Sequence, residues 1–465
     1  MLETCLPRGL SRDIPPALMW GFLSLEIALL MVFALAGVEY VLLILLGVAA
    51  LLFCLSGRLT AIWALILISP VVFVQGVSLG AIRTGKWAFV FYVVLIWFLG
   101  KAVRGEKIHL PRTSVNYIII GFVSWGFLVS LNALDPVESF LGLLRMSSIF
   151  GLFYVFADVL HSHEDIRKIV GLWIGMAILL AGLGIYQYYL SRARYGIGQR
   201  VWATFENPNN LGIFLFMLLP VALSLFLLPA KRLKRIGLGI AIFLFLLCLF
   251  WTGSRASWLA TYVAFVSFGI IAKRRVLAVS LMALGVILII AISHSLWGEG
   301  LAALLRVGRG FALRPILWSI SWRILLDYPL FGVGFGCIPI LFQSYYPVGA
   351  LSLYKLLSPA AGSPHSLFLQ TGAEMGVPGI LLILAFFVIY FYELRETLRR
   401  VRDEFQRALV LAFWATLPGL FIHSFFELSG LIGPGSYTIF FWLSVALFQA
   451  IKRGLPAELG LSEMA

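Results

Sequence analysis

The chain has 465 residues, 61% of them hydrophobic and only 12% charged, with a mean hydropathy of +1.00. A soluble globular protein carries about 25% charged residues, so this composition excludes an ordinary water-soluble domain and turns most of the chain toward lipid or other helices. The net charge of +14 would fit nucleic acid in a soluble chain, but in a membrane protein it reports orientation and contact with anionic membrane lipid, and no nucleic-acid partner is expected.

A membrane span needs about 20 apolar residues. Runs of that kind fall near 17–36, 38–56, 59–80, 87–103, 114–131, 137–160 and 166–190. They continue near 209–228, 236–252, 255–271, 275–292, 366–391, 408–427 and 434–451. Only helices or closed barrels satisfy the backbone in lipid. The expected fold is therefore an all-α polytopic integral membrane protein with about 12–14 transmembrane helices. Met1–Pro16 is polar and short, so no secretory signal is evident. Cys5, Cys54, Cys248 and Cys337 fall in unrelated places and give neither a disulfide framework nor a metal site. The chain divides into N-terminal membrane helices (1–292), one long polar loop with an amphipathic helix (293–365) and C-terminal membrane helices (366–465), all forming one integrated membrane domain.

Sorting the basic residues into alternate loops puts about two thirds of them on one side, including Lys231 to Arg235, Lys273-Arg274-Arg275 and Arg395 to Arg407. That side should be cytoplasmic and should hold both termini, which leaves the long loop outside. The sparser outer cations are the informative ones, because they stand against the topological preference.

Four stretches could carry chemistry. In Trp251-Thr-Gly-Ser-Arg255 an arginine sits between two apolar runs with almost no loop, at or just below the outer interface. An ionisable group there points to function, although a snorkelling arginine at a helix end would look the same. Arg314 precedes Pro315, which suits the first position of a helix. Free backbone donors, the helix dipole and a guanidinium would then converge as they do around a phosphate, with Trp318 and Trp322 in the headgroup layer. His365 closes the loop and could take a proton from a hydroxyl; a lone interface histidine bonded to a carbonyl is the simpler alternative. Glu374 lies nine residues on, about 180° around a regular helix, and is read chiefly as a packing residue beside Gly372, Gly376 and Gly379. Finally, Arg200 leads into Asn207-Pro-Asn209, a turn and helix start in which Asn209 or Asn210 could cap the following span. Gly332-Val-Gly-Phe-Gly336 has no βαβ unit around it and is not a dinucleotide site. The outer carboxylates Asp135, Glu138, Glu206, Glu299 and Asp327 are too scattered to pair on a metal.

Taken in order, Arg314-Pro-Ile-Leu-Trp318, Asp327-Tyr-Pro-Leu-Phe-Gly-Val-Gly334 and His365-Ser-Leu-Phe-Leu-Gln-Thr-Gly-Ala-Glu-Met-Gly-Val-Pro-Gly379 resemble the bacterial O-antigen ligase family and its polymerase relatives. Arg200 through Asn209 and Thr252-Gly-Ser-Arg255 look like its upstream motifs, so the likeness covers about residues 195–390. The family often has Asn after that histidine, where this chain has Ser366. The resemblance implies a GT-C-like, metal-independent, inverting glycosyltransferase of the inner membrane that needs no cofactor. It would move a glycan from undecaprenyl diphosphate to an acceptor sugar, such as one on lipid A-core, at the periplasmic face. Arg255 and Arg314 would hold the diphosphate and His365 would activate the acceptor hydroxyl. Arg200, Asn207, Asn209, Arg306, Arg309, Trp318 and Glu374 are the further residues expected around substrate. The nearest alternative is a polymerase joining two lipid-linked glycans. A transporter or flippase predicts internal repeats and ionisable groups near the midplane, for which only Glu26, Arg145 and Glu374 are available.

Overall fold

The computed structural model describes residues 113–195, 199–276, 278–283, 314–342, 344–345, 363–428, 430–433 and 437–455, with most of 90–101. The spans expected near 17–36, 38–56 and 59–80, together with Glu26, Arg306 and Arg309, lie outside the described residues, as does most of the run at 275–292.

Among the described residues the fold is all-helical. The principal elements are α1 (Ser114–Leu131), α2 (Pro136–Val159), α3 (His163–Tyr195), α4 (Pro208–Phe226), α5 (Arg232–Thr252) and α6 (Arg255–Ile271). They are followed by α7 (Arg314–Asp327), the short α8 (Ile338–Phe342), α9 (Leu367–Arg400), α10 (Glu404–His423) and α11 (Tyr437–Arg453). Seven of these, α1 to α5, α9 and α10, are long and apolar enough to cross a membrane. The protein is thus a polytopic helical membrane protein.

Several ends differ from the hydropathy reading, and for one reason: a helix does not stop where its apolar window stops. The span read as 366–391 runs to Arg400, that read as 166–190 runs from His163 to Tyr195, and that read as 236–252 begins at Arg232. The opposite error occurs at 408–427. There α10 ends at His423, and Ser424 to Glu427 turn away from it.

The centre is α4, whose span is 83% buried, against 22% for α5. It packs on α5, α6 and α10, while α6 packs along α10, α9 along α1, and α11 along α2. Its cap is Asn207 rather than Asn209 or Asn210: the Asn207 side chain accepts from the Asn209 and Asn210 amides at 2.9 and 3.0 Å, and Pro208 follows at the first position. Close approach to α6 depends on Gly212, because a Cβ there would lie 2.7 Å from Ser257 Oγ.

A second junction fixes α7. The turn after it, Tyr328 to Gly336, is stitched into a kink of α9 at Gly376 (φ 70°, ψ −169°). Val333 N donates to Ala373 O (2.9 Å), Gly334 N to Glu374 O (3.1 Å) and Val377 N to Pro329 O (2.8 Å). Only glycine combines that backbone conformation with a carbonyl, Leu330 O, pressed where a Cβ would sit. The glycine-rich stretch is therefore a structural splice that holds α7 across the start of α9. At the far end of the bundle, ion pairs Lys101–Asp158 (2.8 Å) and Lys452–Glu393 (3.0 Å) tie the chain together.

Candidate active site

Four helices begin at the same end of the bundle: α4 after Asn207, α6 after Ser254, α7 at Arg314 and α9 after Ser366. Each N-terminus brings the positive end of its dipole to that end of the bundle, a setting that favours an anion, although Asn207 already caps the Asn209 and Asn210 amides and Ser366 the Leu369 amide. The turn leaving the C-terminus of α10 fills the space between them, and it carries Glu427.

Glu427 is buried and joins three of these helix starts, those of α4, α7 and α9. Its Oε1 accepts from the Arg314 guanidinium and from Asn209 Nδ2 (2.5 Å), and its Oε2 lies 3.0 Å from His365 Nδ1. Arg200 extends the chain of contacts, donating through Nη2 to Asn209 Oδ1 (2.5 Å) and through Nε to Thr252 O (2.6 Å) at the end of α5. Beneath the carboxylate, Glu427 N donates to His423 O (3.0 Å), and His423 Nε2 lies 3.2 Å from Ser257 Oγ in α6.

The electrostatics follow from this arrangement. Burial alone would raise the Glu427 pKa, but the His365 hydrogen bond and the nearby charges of His365, Arg314 and His423 outweigh it and hold the carboxyl below its ordinary range. An ionised carboxylate only accepts, so His365 turns a hydrogen on Nδ1 toward it, and in the neutral form of the ring the lone pair is then on Nε2. The imidazole side chain is 40% exposed against 11% for the carboxylate, so Nε2 can meet a ligand while Glu427 stays covered. His365 has a left-handed backbone (φ 51°), and it precedes α9 instead of belonging to it.

The structure thus brings together Arg200, Asn209, Arg314 and His365, with the Asn207 cap immediately beside them. Arg255 is exposed at the first position of α6, one residue beyond Ser254, whose Oγ meets Ser257 Oγ at 3.0 Å. Trp318 donates to Pro364 O (2.9 Å). Glu374 points elsewhere: it accepts from Gly336 N (3.0 Å) and from Gln370 Nε2 and so secures the glycine splice. Arg145 pairs with Glu138 at 2.9 Å inside α2. Reading the sequence missed Glu427 and His423. The usable signal was an acidic residue at the outer edge of an apolar run, in Phe425-Phe-Glu427, the same signal that marked His365.

Beside the cluster lies an apolar cavity of about 620 Å³, lined among others by Leu259, Trp318, Trp322, Phe368, Phe425 and Phe426.

Fold and site together define a polytopic helical membrane protein with a cluster of arginine, histidine and a shared carboxylate at one end of its bundle and an apolar cavity alongside. Residues 240–384, about a third of the chain, match the family model described as O-antigen ligase. The family is associated with O-antigen ligase or polymerase chemistry, which implies a lipid-linked glycan and an acceptor as partners. The matched segment contains Arg255, Arg314, Trp318, His365 and Glu374 and leaves Arg200, Asn209 and Glu427 outside it. No curated protein matches the chain.

Proposed function

We propose that the protein is an inverting, metal-independent glycosyltransferase of the O-antigen ligase type, GT-C-like in fold. It moves a glycan from undecaprenyl diphosphate to an acceptor sugar, such as one on lipid A-core. The cluster lies at the periplasmic face of the inner membrane, and both termini are cytoplasmic. The observation that carries the reading is Glu427 linking a partly exposed histidine to an arginine at a helix N-terminus.

In the reaction the acceptor hydroxyl oxygen attacks the anomeric carbon while His365 Nε2 takes its proton. The bond from that carbon to the diphosphate oxygen breaks, and the electron pair leaves with the diphosphate. Attack opposite the leaving group inverts the anomeric centre. Glu427 holds the imidazole in the required tautomer and stabilises the imidazolium that forms. Arg314 and Arg255 offset the charge growing on the diphosphate, helped by the converging helix N-termini. Arg200 braces Asn209 against Glu427. The lipid tail occupies the apolar cavity beside Trp318 and Phe426.

The test is incubation of purified protein with an undecaprenyl-diphosphate glycan and candidate acceptors, read by product mass. A single addition supports the ligase reading, a ladder of repeats makes the protein a polymerase, and no product on any pair overturns the proposal.

A further inference from the structure

We infer that Trp318 is a positioning residue that sets the geometry of His365 against Glu427, an inference that rests on the glycosyl-transfer reading above. Its indole Nε1 donates to Pro364 O at 2.9 Å, the peptide immediately before His365. Its ring lies against Phe426, the residue immediately before Glu427, with centroids 6.1 Å apart and planes inclined at 46°. One side chain on α7 therefore touches the neighbour of each member of the pair. The two segments are also joined directly, because Leu367 N donates to Ser424 O at 2.8 Å.

The His365 backbone needs this support. Its φ of 51° is a conformation that non-glycine residues keep only when their surroundings fix it. The Ser363 hydroxyl accepts from His365 N at a long 3.3 Å, which leaves the Trp318 bond to fix the preceding peptide. Trp318 also lines the apolar cavity, so a chain lying there presses on the residue that aims the imidazole. Binding of a part of the ligand that does not react is thus felt at the reacting atoms.

The experiment compares Trp318→Phe, which keeps a ring and deletes the donor, with Trp125→Phe. The latter removes an indole bond of 2.9 Å to Met375 O, farther along the same helix α9. Transfer is measured under saturating acceptor with the undecaprenyl-diphosphate glycan varied, and thermal stability is recorded for each variant. Trp318→Phe should lower kcat by about ten- to a hundred-fold while KM for the donor stays within about two-fold, since the ring still lines the cavity. Trp125→Phe should keep the wild-type kcat and lose as much thermal stability. Wild-type kcat in Trp318→Phe, a raised KM with unchanged kcat, or equal losses of kcat in both variants would overturn the inference. A wild-type chain inert on every donor brings down the glycosyl-transfer reading itself, and with it this one.

Discussion

At the scale of single residues, the site turns on one carboxylate shared by a guanidinium, an amide and an imidazole. Removing a member changes the chemistry in a predictable direction. His365→Ala deletes the proton acceptor and should lower kcat by about 10²–10⁴-fold, with donor binding, measured separately by retention on the protein, little changed. Glu427→Gln keeps the shape but loses the charge that fixes the imidazole tautomer, so transfer should fall while the Arg314 helix still forms. The pH dependence carries its own sign. The folded-state pKa of Glu427 is depressed, so its contribution to stability is present above the ordinary carboxylate value and is lost as pH falls through the lower, folded value. Melting of the detergent-solubilised protein should therefore show a wild-type advantage over Glu427→Gln at neutral pH that shrinks only in strong acid. A difference that persists unchanged into strong acid would contradict the ion-pair account.

At the scale of elements, the site is held by two junctions, and each makes a prediction. Gly376→Ala must adopt a left-handed φ of 70° against the Leu330 carbonyl, which should cost about 1–3 kcal/mol and lower the melting temperature. Gly171→Ala, whose added Cβ meets nothing within 4 Å, should leave it unchanged or raise it. The same contrast shows what was legible from the chain alone. Arg255, Arg314 and His365 each stand at the edge of an apolar run, where an ionisable group is conspicuous, and Pro315 marked the start of α7. Glu427 stands in such a place too, but an apolar window carried the predicted helix through it, and its partners lie 62, 113 and 218 residues away. A pairing over such separations leaves no periodic trace. The glycine splice was invisible for a similar reason: its donors face the backbone of another helix, so its spacing is set by α9 and not by its own neighbours.

At the scale of the whole molecule, two unlike ends frame the bundle. One gathers the Arg200, Asn209, Arg314, His365 and Glu427 cluster, the other the Lys101–Asp158 and Lys452–Glu393 pairs. The sidedness expected from the charge distribution is checked by labelling. In a background with the four cysteines replaced, Arg192→Cys should react with a membrane-impermeant maleimide added to intact spheroplasts, and Arg232→Cys only after permeabilisation. The reverse pattern would invert the topology and place the cluster on the cytoplasmic side.

The contact map also fixes when the site can exist. Glu427 is translated after Asn209, Arg314 and His365, all of which its carboxylate meets. A nascent chain halted before α10 exits the ribosome holds its cations and its imidazole with no counter-carboxylate to orient them. Assembly of the cluster is therefore postponed until membrane integration is nearly finished.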